Sequence, residues 1–486
     1  GYTTAGSLTG TSAARNFNTA ALQNLPVNPV TKLGFKIGLY YNVQVFDGTG
    51  ANNAYRQELP DPVTKAVWMN YAVMLPDTAR KLNLKQGTVV KVTTSSGTIE
   101  VPVLLQPGIH PDAILIALGY GRTAAGRIGN DRGANAIELC PVGTDSLIMT
   151  GIDTDKDTGL VATGERINLP NTQTVYRSGR NTEDRAFFAP ASTTARNDHA
   201  NEIPTVGGAP YDGSAQYGRP LIRETSLTEY KKDPTNFKPP MIAYPKDSAI
   251  SSGWQYKGIR WHMTIDLNAC TGCGSCVTSC NIENNIPMVG PDQVYLGREM
   301  HWMRIDRYYT GDEANPQVAH QPMLCQHCEN APCENVCPVG ATTHDTEGLN
   351  VMAYNRCVGT RYCANNCPYK VRRFNWFENW DYMEGLVRHL RDPQQLALNP
   401  DVTVRRRGVI EKCSLCIHRL NRARQDMRVK GQARLVDGSV QTACQEVCPA
   451  DAISFGDIND PDSRVHNLAK DNRGYKALDF LGTNPS

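Results

Sequence analysis

Long hydrophobic runs and a large charge of either sign are both missing from this sequence of 486 residues. No apolar run approaches the roughly 20 residues that a membrane-spanning helix needs. If the protein works at a membrane, we therefore expect another subunit to supply the span. The net charge is +2 with 20% charged residues, so the composition gives no reason to expect a nucleic-acid partner.

Cysteine is nearly absent from the first half of the chain. Of the sixteen cysteines, Cys140 alone precedes residue 270, and the other fifteen lie between Cys270 and Cys448. We predict that Cys140 is a buried structural thiol, as an isolated cysteine usually is. The dense cluster in the second half indicates a domain built around cysteine ligands.

Composition divides the chain into four predicted parts. The first is rich in β-strand patterns, with a hairpin expected around Ser96-Gly97 and close backbone approaches at Gly119, Gly121 and Gly126. The second is polar and broken by prolines, which predicts an extended arm between two domains. The predicted bounds are 1–165 for the β-rich domain, 166–255 for the linker arm, 256–460 for the cysteine domain and 461–486 for a polar tail.

The fifteen clustered cysteines fall into four groups with the spacing of iron–sulfur ligands. In chain order these are Cys270, Cys273, Cys276 and Cys280; Cys325, Cys328, Cys333 and Cys337; Cys357, Cys363 and Cys367; and Cys413, Cys416, Cys444 and Cys448. Three thiolates on a tight loop can hold one side of a compact cluster. A cysteine before proline then turns the chain toward a second cluster, as in two-cluster bacterial ferredoxins. The domain therefore looks like two fused two-cluster ferredoxins.

Crossed ligation assigns these cysteines to four clusters. The second and third groups are adjacent and make one pair, so the first and fourth make the other. The rule predicts three [4Fe–4S] clusters, held by Cys270, Cys273, Cys276 and Cys448; by Cys280, Cys413, Cys416 and Cys444; and by Cys325, Cys328, Cys333 and Cys367.

The last set, Cys337, Cys357 and Cys363, is one ligand short. By analogy with the second group the missing cysteine would stand at Thr360, and a threonine is a poor ligand for a soft iron site. A cubane without its fourth thiolate readily loses that iron. We therefore predict a [3Fe–4S] cluster here, which uses every cysteine of the domain.

Other interpretations of the cysteines fit less well. Zinc sites use two Cys-x2-Cys pairs for each ion, whereas these groups have three close thiolates followed by Cys-Pro. A disulfide framework would leave an odd cysteine in the domain. His327 and His418 lie beside ligand cysteines, and we expect them to support the clusters through hydrogen bonds in preference to binding iron.

One basic stretch is also open to two interpretations. Residues 401–434 carry ten Lys or Arg against three acidic residues. The stretch could raise cluster potentials or dock an acidic partner, or it could be the solvated face of a helix from about Ile417 to Lys430.

The cysteine domain closely resembles the four-cluster subunit that accompanies molybdopterin oxidoreductases of the polysulfide and nitrate reductase types. The sequences Cys367-Pro-Tyr-Lys-Val-Arg-Arg-Phe-Asn and Glu411-Lys-Cys-Ser-Leu-Cys-Ile-His-Arg carry this resemblance. The first domain resembles the molybdopterin-dinucleotide-binding β-barrel of the catalytic subunit, through Glu58-Leu-Pro-Asp-Pro-Val-Thr-Lys, Trp68-Met-Asn and Ala117-Leu-Gly-Tyr-Gly-Arg-Thr. The expected fold is thus α+β and mainly β.

The fusion of these two parts resembles the large iron–sulfur subunit of alternative complex III, a bacterial quinol-oxidising membrane complex. The resemblance implies the same three [4Fe–4S] and one [3Fe–4S] clusters, no molybdopterin, and no catalytic residue in this chain. It also implies that further domains precede Gly1.

The resemblance further implies a set of partners. These are an integral membrane quinol-binding subunit of the polysulfide-reductase type, multihaem and monohaem cytochrome c subunits and a terminal oxidase. Electrons from a quinol, expected to be menaquinol, would enter at the [3Fe–4S] cluster. The family works on the periplasmic face of the bacterial inner membrane, which would require export of the folded protein. Two alternatives stay open, namely the iron–sulfur subunit of a true molybdoenzyme and a ferredoxin-like carrier without fixed partners.

Overall fold

The computed structural model describes residues 35–140, 152–154, 159–173, 222–234, 256–312, 314–378, 394–432 and 435–486. Most of the predicted arm, 166–255, lies outside these residues, so the arm and the domain bounds stay predictions. Within the described part of the chain, no helix is long and apolar enough to cross a membrane.

A seven-stranded sheet organises the first domain. Its spatial order is β6-β1-β5-β2-β4-β3-β7. The strands are β1 (Phe35–Tyr40), β2 (Ala72–Met74), β3 (Thr88–Thr93), β4 (Thr98–Leu105), β5 (Ala113–Ala117), β6 (Ile152–Thr154) and β7 (Leu160–Arg166). Two short helices, α1 (Ala54–Gln57) and α2 (Pro76–Lys81), and a 3-10 turn at Ala136–Leu139 accompany them. Buried side chains such as Ile37, Met74 and Ile114 form the core against the sheet.

The sheet is mixed and open, so the prediction of a closed barrel is wrong for the described residues. Strand β1 pairs with β5 in parallel and β2 with β4 in parallel, while the other pairings are antiparallel. The outer strands β6 and β7 are each paired on one side only. A barrel requires its first and last strands to pair, and that ladder is missing here.

Two local predictions in this domain are confirmed. Strands β3 and β4 form the expected antiparallel hairpin, with Val92 opposite Ile99. The backbone approaches closely at the predicted glycines: a Cβ on Gly119 would lie 2.7 Å from the carbonyl oxygen of Phe46. Gly119 has a φ of +91°, which glycine adopts without strain.

The cysteine domain is built from short two-stranded ladders and short helices. The strands are β8 (Trp261–Ile265), β9 (Arg304–Asp312), β10 (Asn315–Met323), β11 (Thr342–His344), β12 (Asn350–Met352), β13 (Arg373–Phe374), β14 (Ile410–Glu411) and β15 (Ile453–Asp457). The pairs are β8 with β15, β9 with β10, β11 with β12, and β13 with β14. The pairing of β8 with β15 joins the two ends of the domain.

Helices follow the cysteine loops. They are α4 (Ser275–Glu283), α5 (Pro291–Tyr295), α6 (Pro332–Asn335), α7 (Tyr362–Asn366), α8 (Ile417–Val429), α9 (Ala443–Glu446) and α10 (Arg464–Ala469), after a separate α3 (Leu227–Lys232). Short 3-10 turns occur at Tyr354–Arg356, Gln394–Ala397 and Asp479–Leu481. A strand precedes and a helix follows the cysteine loops at Cys270, Cys325, Cys357 and Cys413. The helix predicted from about Ile417 is confirmed.

The core of this domain contains the cysteines themselves. Cys276, Cys280, Cys325 and Cys413 pack in one apolar cluster with residues such as Met303. The thiols therefore lie in a protein interior of low polarity, where an ionised thiolate is costly unless positive charge offsets it.

Glu58 joins the two domains. Its buried carboxylate accepts hydrogen bonds from the backbone N–H groups of Val289 (3.1 Å) and Gly290 (2.8 Å), and from Trp68 Nε1 (3.0 Å). Burial raises the pKa of Glu58 to about 7, although these three donors oppose the rise. The neighbouring Leu59 packs into the core of the cysteine domain. The first domain is therefore seated directly on the cysteine domain.

Candidate functional site

Crossed ligation predicts four sets among the fifteen cysteines of this domain. We name them the Cys270 set (Cys270, Cys273, Cys276 and Cys448), the Cys413 set (Cys280, Cys413, Cys416 and Cys444), the Cys325 set (Cys325, Cys328, Cys333 and Cys367) and the Cys363 set (Cys337, Cys357 and Cys363). The Cys413 and Cys363 sets each line one cavity, and in the other two sets Cys448 acts on the charge of Cys270 and Cys367 on that of Cys328. That each set binds iron stays a prediction.

The Cys270 set combines the first loop of the domain with its last cysteine. The loop turns through Gly272 and Gly274, both at positive φ, and α4 then carries Cys276 inward. A Cβ on Gly272 would lie 2.6 Å from the ring of His320, so only glycine fits there. Burial raises the pKa of the Cys270 thiol, and the charge of Cys448 raises it further.

The Cys413 set surrounds a cavity. Its empty volume is about 310 Å³, and its lining includes Cys280, Cys413, Cys416, Cys444, Asn284, Met303, Leu324 and Thr442. Cys280 comes from the first group of cysteines and the other three from the fourth, so the cavity is shared between motifs that lie far apart in the sequence. Burial raises the pKa of the Cys280 thiol, and negative charge on the three neighbouring cysteines raises it further.

The Cys325 set lies between the second and third groups. Burial raises the pKa of the Cys328 thiol to about 12, and negative charge at Cys325 and Cys367 adds to this effect. Tyr369 lies close by, with its hydroxyl 2.7 Å from Thr483 Oγ1 of the C-terminal segment. That segment, predicted to be a polar tail, therefore packs against this part of the domain.

The Cys363 set lines the second cavity. Its empty volume is about 320 Å³, and its lining includes Cys337, Cys357, Cys363, Thr342, Met352, Gly359, Thr360, Arg361 and Ile410. Thr360 thus faces the same space as the three cysteines. This is the position at which the sequence lacks a fourth cysteine.

Backbone donors point at several of these sulfurs. Ala341 N lies 3.2 Å from Cys337 Sγ, Ile410 N lies 3.4 Å from Cys357 Sγ, and Ala452 N lies 3.3 Å from Cys448 Sγ. N–H groups directed at cysteine sulfur stabilise the thiolate form, and hydrogen bonds of this kind tune the potentials of iron–sulfur clusters.

The donor set fits clusters of several irons better than single ions. In the stretches that the structure describes, no three His, Cys, Asp or Glu side chains converge closely enough for one metal ion. A mononuclear zinc site needs ligand atoms about 2.0–2.3 Å from the ion. Thiolates spaced around a cavity instead suit a polynuclear cluster. Burial raises the pKa of several of these thiols, among them Cys276, Cys280 and Cys413, so bound iron would be needed to hold them as thiolates.

The two histidines make hydrogen bonds that suit a supporting role. His327 Nδ1 accepts from the backbone N–H of Asn350 at 2.9 Å. His418 Nε2 lies 2.7 Å from Glu283 Oε1. Cys140 is half-buried at the edge of the first domain's core, so the prediction of a buried thiol is only partly right.

The basic stretch 401–434 is used partly inside the fold. Arg405 is buried and pairs with Glu411 at 2.8 Å. Arg419 pairs with Glu283, and Arg424 pairs with Glu347. The stretch is therefore not simply a solvated helical face.

Sequence reasoning missed two buried cations beside the cysteines, Arg372 and Lys412. Arg372 Nη2 lies 3.0 Å from Cys333 Sγ. Both cations stand in the two sequence phrases that carry the family resemblance. Their place in those two sequences could have indicated a role beside the clusters. A basic residue near a ligand is, however, usually exposed.

Comparisons with known proteins agree with this arrangement. Two matches to a 4Fe-4S dicluster domain cover residues 269–341 and 316–381, and a match to a molydopterin dinucleotide binding domain covers 45–150.

Similar chains include iron–sulfur subunits of three oxidoreductases. The menaquinone reductase iron-sulfur cluster-binding subunit of Nitratidesulfovibrio vulgaris is 42% identical over 241 residues, which are 49% of this chain and 90% of that protein. The Hdr-like menaquinol oxidoreductase iron-sulfur subunit 1 of Archaeoglobus fulgidus is 33% identical, over 46% of this chain and 81% of its own length. The arsenate respiratory reductase iron-sulfur subunit of a Shewanella species is 30% identical, over 47% of this chain and 94% of its own length.

Proposed function

This chain belongs to the iron–sulfur subunits of the molybdopterin oxidoreductase family, and from that premise we propose that it serves a quinol-oxidising complex of the alternative complex III type. Relatives in this family are electron-transfer subunits of membrane-associated oxidoreductases. When bound, iron–sulfur clusters supply one-electron transfer. The role of the chain is to hold those clusters in a fixed order within a low-polarity interior.

The proposed ligands are the four cysteine sets. The Cys270, Cys413 and Cys325 sets would each hold a [4Fe–4S] cluster, and the Cys363 set would hold a [3Fe–4S] cluster. The single observation that carries this proposal is the cavity shared by Cys357, Cys363 and Thr360. Three cysteines line it, and Thr360 stands where the sequence lacks a fourth, so one corner of a cubane would have no thiolate.

The surroundings of that cavity support a docking role. Val358, Tyr362 and Val339 near it are 65%, 56% and 38% exposed. Exposed apolar side chains gathered in one place favour contact with another protein. We place the integral membrane quinol-binding subunit on this surface, so that electrons enter through the Cys363 set. Partners beyond it would be the multihaem and monohaem cytochrome c subunits and a terminal oxidase, on the periplasmic face of the inner membrane.

A true molybdoenzyme is the second candidate. The match of residues 45–150 to a molydopterin dinucleotide binding domain favours it. The two candidates differ in one measurable respect, because the alternative complex III type would hold no molybdenum.

The test is low-temperature EPR of the oxidised protein together with iron and molybdenum analysis. An oxidised [3Fe–4S] cluster is paramagnetic, whereas oxidised low-potential cubanes are silent. We expect a near-isotropic signal of about one spin, no molybdenum and roughly 15 irons for each chain. Cys363→Ala should abolish the signal, while the control Cys140→Ala should keep it. Molybdenum in the complex would favour the second candidate, and no such signal under oxidising conditions would contradict the [3Fe–4S] cluster and the proposed entry of electrons there.

A further inference from the structure

Arg372 is a buried cation between two of the cysteine sets. It is 6% exposed, and its Nη2 donates to Cys333 Sγ at 3.0 Å. Burial raises the pKa of the Cys363 thiol, and the charge and hydrogen bond of Arg372 act against that rise. Cys333 belongs to the Cys325 set and Cys363 to the set named after it. One guanidinium therefore acts on both sets.

Lys412 occupies the corresponding place between the Cys325 and Cys413 sets. It is 2% exposed, and its Nζ donates to the backbone carbonyl of Cys413 at 2.9 Å and to that of Asn350. Burial raises the pKa of the Cys333 thiol to about 11, against the positive charges of Arg372 and Lys412. Both cations therefore act on the Cys325 set.

Asn350 connects the two cations. Its Oδ1 accepts a hydrogen bond from Arg372 Nη2 at 2.8 Å, and its backbone carbonyl accepts from Lys412. Its backbone N–H donates to His327 at 2.9 Å. Thr342 Oγ1 accepts a further bond from Arg372 Nη2 at 2.8 Å. Fixed partners of this kind hold both charges in place.

Neither charge is matched by a carboxylate. In the part of the chain that the structure describes, no Asp or Glu forms an ion pair with Arg372 or Lys412. Glu411, which precedes Lys412, is paired with Arg405 at 2.8 Å. A buried cation without a counter-charge is strongly unfavourable. The thiolates of the adjoining sets are the negative groups available to offset both cations.

We propose that Arg372 and Lys412 set and link the potentials of the three clusters at the Cys363, Cys325 and Cys413 sets. Arg372 would act on the first two and Lys412 on the last two, and both are positioning residues that act through the cysteines. A fixed positive charge favours the reduced state, which carries one more negative charge. The reduction potentials of neighbouring clusters that share a cation are therefore raised together. This inference rests on the proposed ligation by the four sets.

The test is an EPR-monitored redox titration of the complex carrying Arg372→Gln or Lys412→Met, with Cys363→Ala used to assign signals. In Arg372→Gln the clusters at the Cys363 and Cys325 sets should be about tenfold less reduced at a fixed potential, which for one electron is about 59 mV. In Lys412→Met the same loss should appear at the Cys325 and Cys413 sets. Arg372→Lys, which keeps the charge, should restore most of the first shift.

Two controls separate this inference from a general disturbance. The cluster of the Cys270 set should keep its potential in every variant, and the exposed Arg356→Gln should shift none. Four assembled clusters with unchanged potentials, or a uniform shift of all four, would overturn the inference while leaving the proposed function intact. If the wild type lacks the clusters, the proposed function fails first. If Arg372→Gln does not assemble, Lys412→Met decides through its own pair of sets.

Discussion

Arg419 Nε lies 2.6 Å from Glu283 Oε1, and this ion pair ties together two helices that carry cysteines of the Cys413 set. Glu283 is the last residue of α4, which carries Cys280. Arg419 lies in the first turn of α8, the helix that begins directly after Cys416. Arg419 also pairs with Glu446 of α9, the helix of Cys444, at 2.6 Å. The Arg419 side chain therefore connects α4, α8 and α9, the three helices next to the cavity of the Cys413 set.

Replacing this arginine should loosen the Cys413 set first. Arg419→Gln removes a half-buried, charge-assisted contact, which we expect to cost about 1–2 kcal/mol of stability. Iron should be lost from the variant at a lower temperature than from the wild type, as followed by the loss of cluster absorbance on heating. Arg422→Gln, an exposed position on the same helix, should behave like the wild type. Equal loss of iron in both variants would show that the ion pairs of Arg419 do not stabilise the Cys413 set.

The contact between the two domains should depend on pH through Glu58. Its pKa of about 7 exceeds that of an unfolded glutamate, about 4.3, so the folded state binds the extra proton. The resulting stability is fully present below the unfolded pKa and is lost as the pH rises through the folded pKa of about 7. The upper limit of this stability contribution, set by the difference between the two pKa values, is about 4 kcal/mol.

The measurement is thermal unfolding of wild type and Glu58→Gln across this pH range. The wild type should gain stability relative to the variant as the pH falls from about 8 to about 5.5. Glu100→Gln, an exposed change in the same domain, should follow the wild type at every pH. A difference between wild type and Glu58→Gln that does not vary with pH would show that the carboxyl stays ionised throughout.

Gly359 should be indispensable to the loop around the Cys363 set. It has a φ of +71°, and a Cβ there would lie 2.3 Å from the carbonyl oxygen of Gly408. Gly359→Ala should therefore displace Cys357 and reduce the [3Fe–4S] EPR signal severely. Gly340→Ala is the matched control, because Gly340 also has a positive φ of +58° but open space around it. Gly340→Ala adds only backbone strain, of order 1 kcal/mol, and should keep the EPR signal.

The apolar rim near the Cys363 cavity should be needed for assembly. Val358→Asp places a charge on an exposed apolar position, so it should weaken co-purification with the membrane subunit without changing the iron content. Val429→Asp makes the same change on the exposed side of α8 and should assemble normally. Normal assembly of Val358→Asp would move the docking surface elsewhere.

Local patterns predicted much of this structure. The hairpin of β3 and β4 and the helix that begins at Ile417 follow from residues adjacent in the sequence. The grouping of Cys280 with Cys413 could also be anticipated, because the ligation rule for two-cluster ferredoxins relates distant motifs. In each case the prediction rests on the spacing of residues along the sequence.

Features that depend on distant pairings were not predictable in this way. The open sheet depends on which strands lie beside β1 and β3, and β7 adds to β3 from the far side of a long segment. The burial of Arg372 and Lys412 depends on the packing of several loops, and sequence alone does not distinguish a buried cation from an exposed one. The seating of Glu58 on Gly290 crosses between the domains and has no local signature.

The most direct test of the account is Thr360→Cys, with EPR of the oxidised protein and iron analysis. Thr360 faces the cavity of the Cys363 set, so a thiolate there should retain a fourth iron. We predict that the near-isotropic signal of the wild type disappears and that iron rises by about one atom for each chain. The control Thr343→Cys, at an exposed position next to Thr342 in the sequence, should change neither. An unchanged signal in Thr360→Cys, or no signal in the oxidised wild type, would contradict a [3Fe–4S] cluster at Cys337, Cys357 and Cys363.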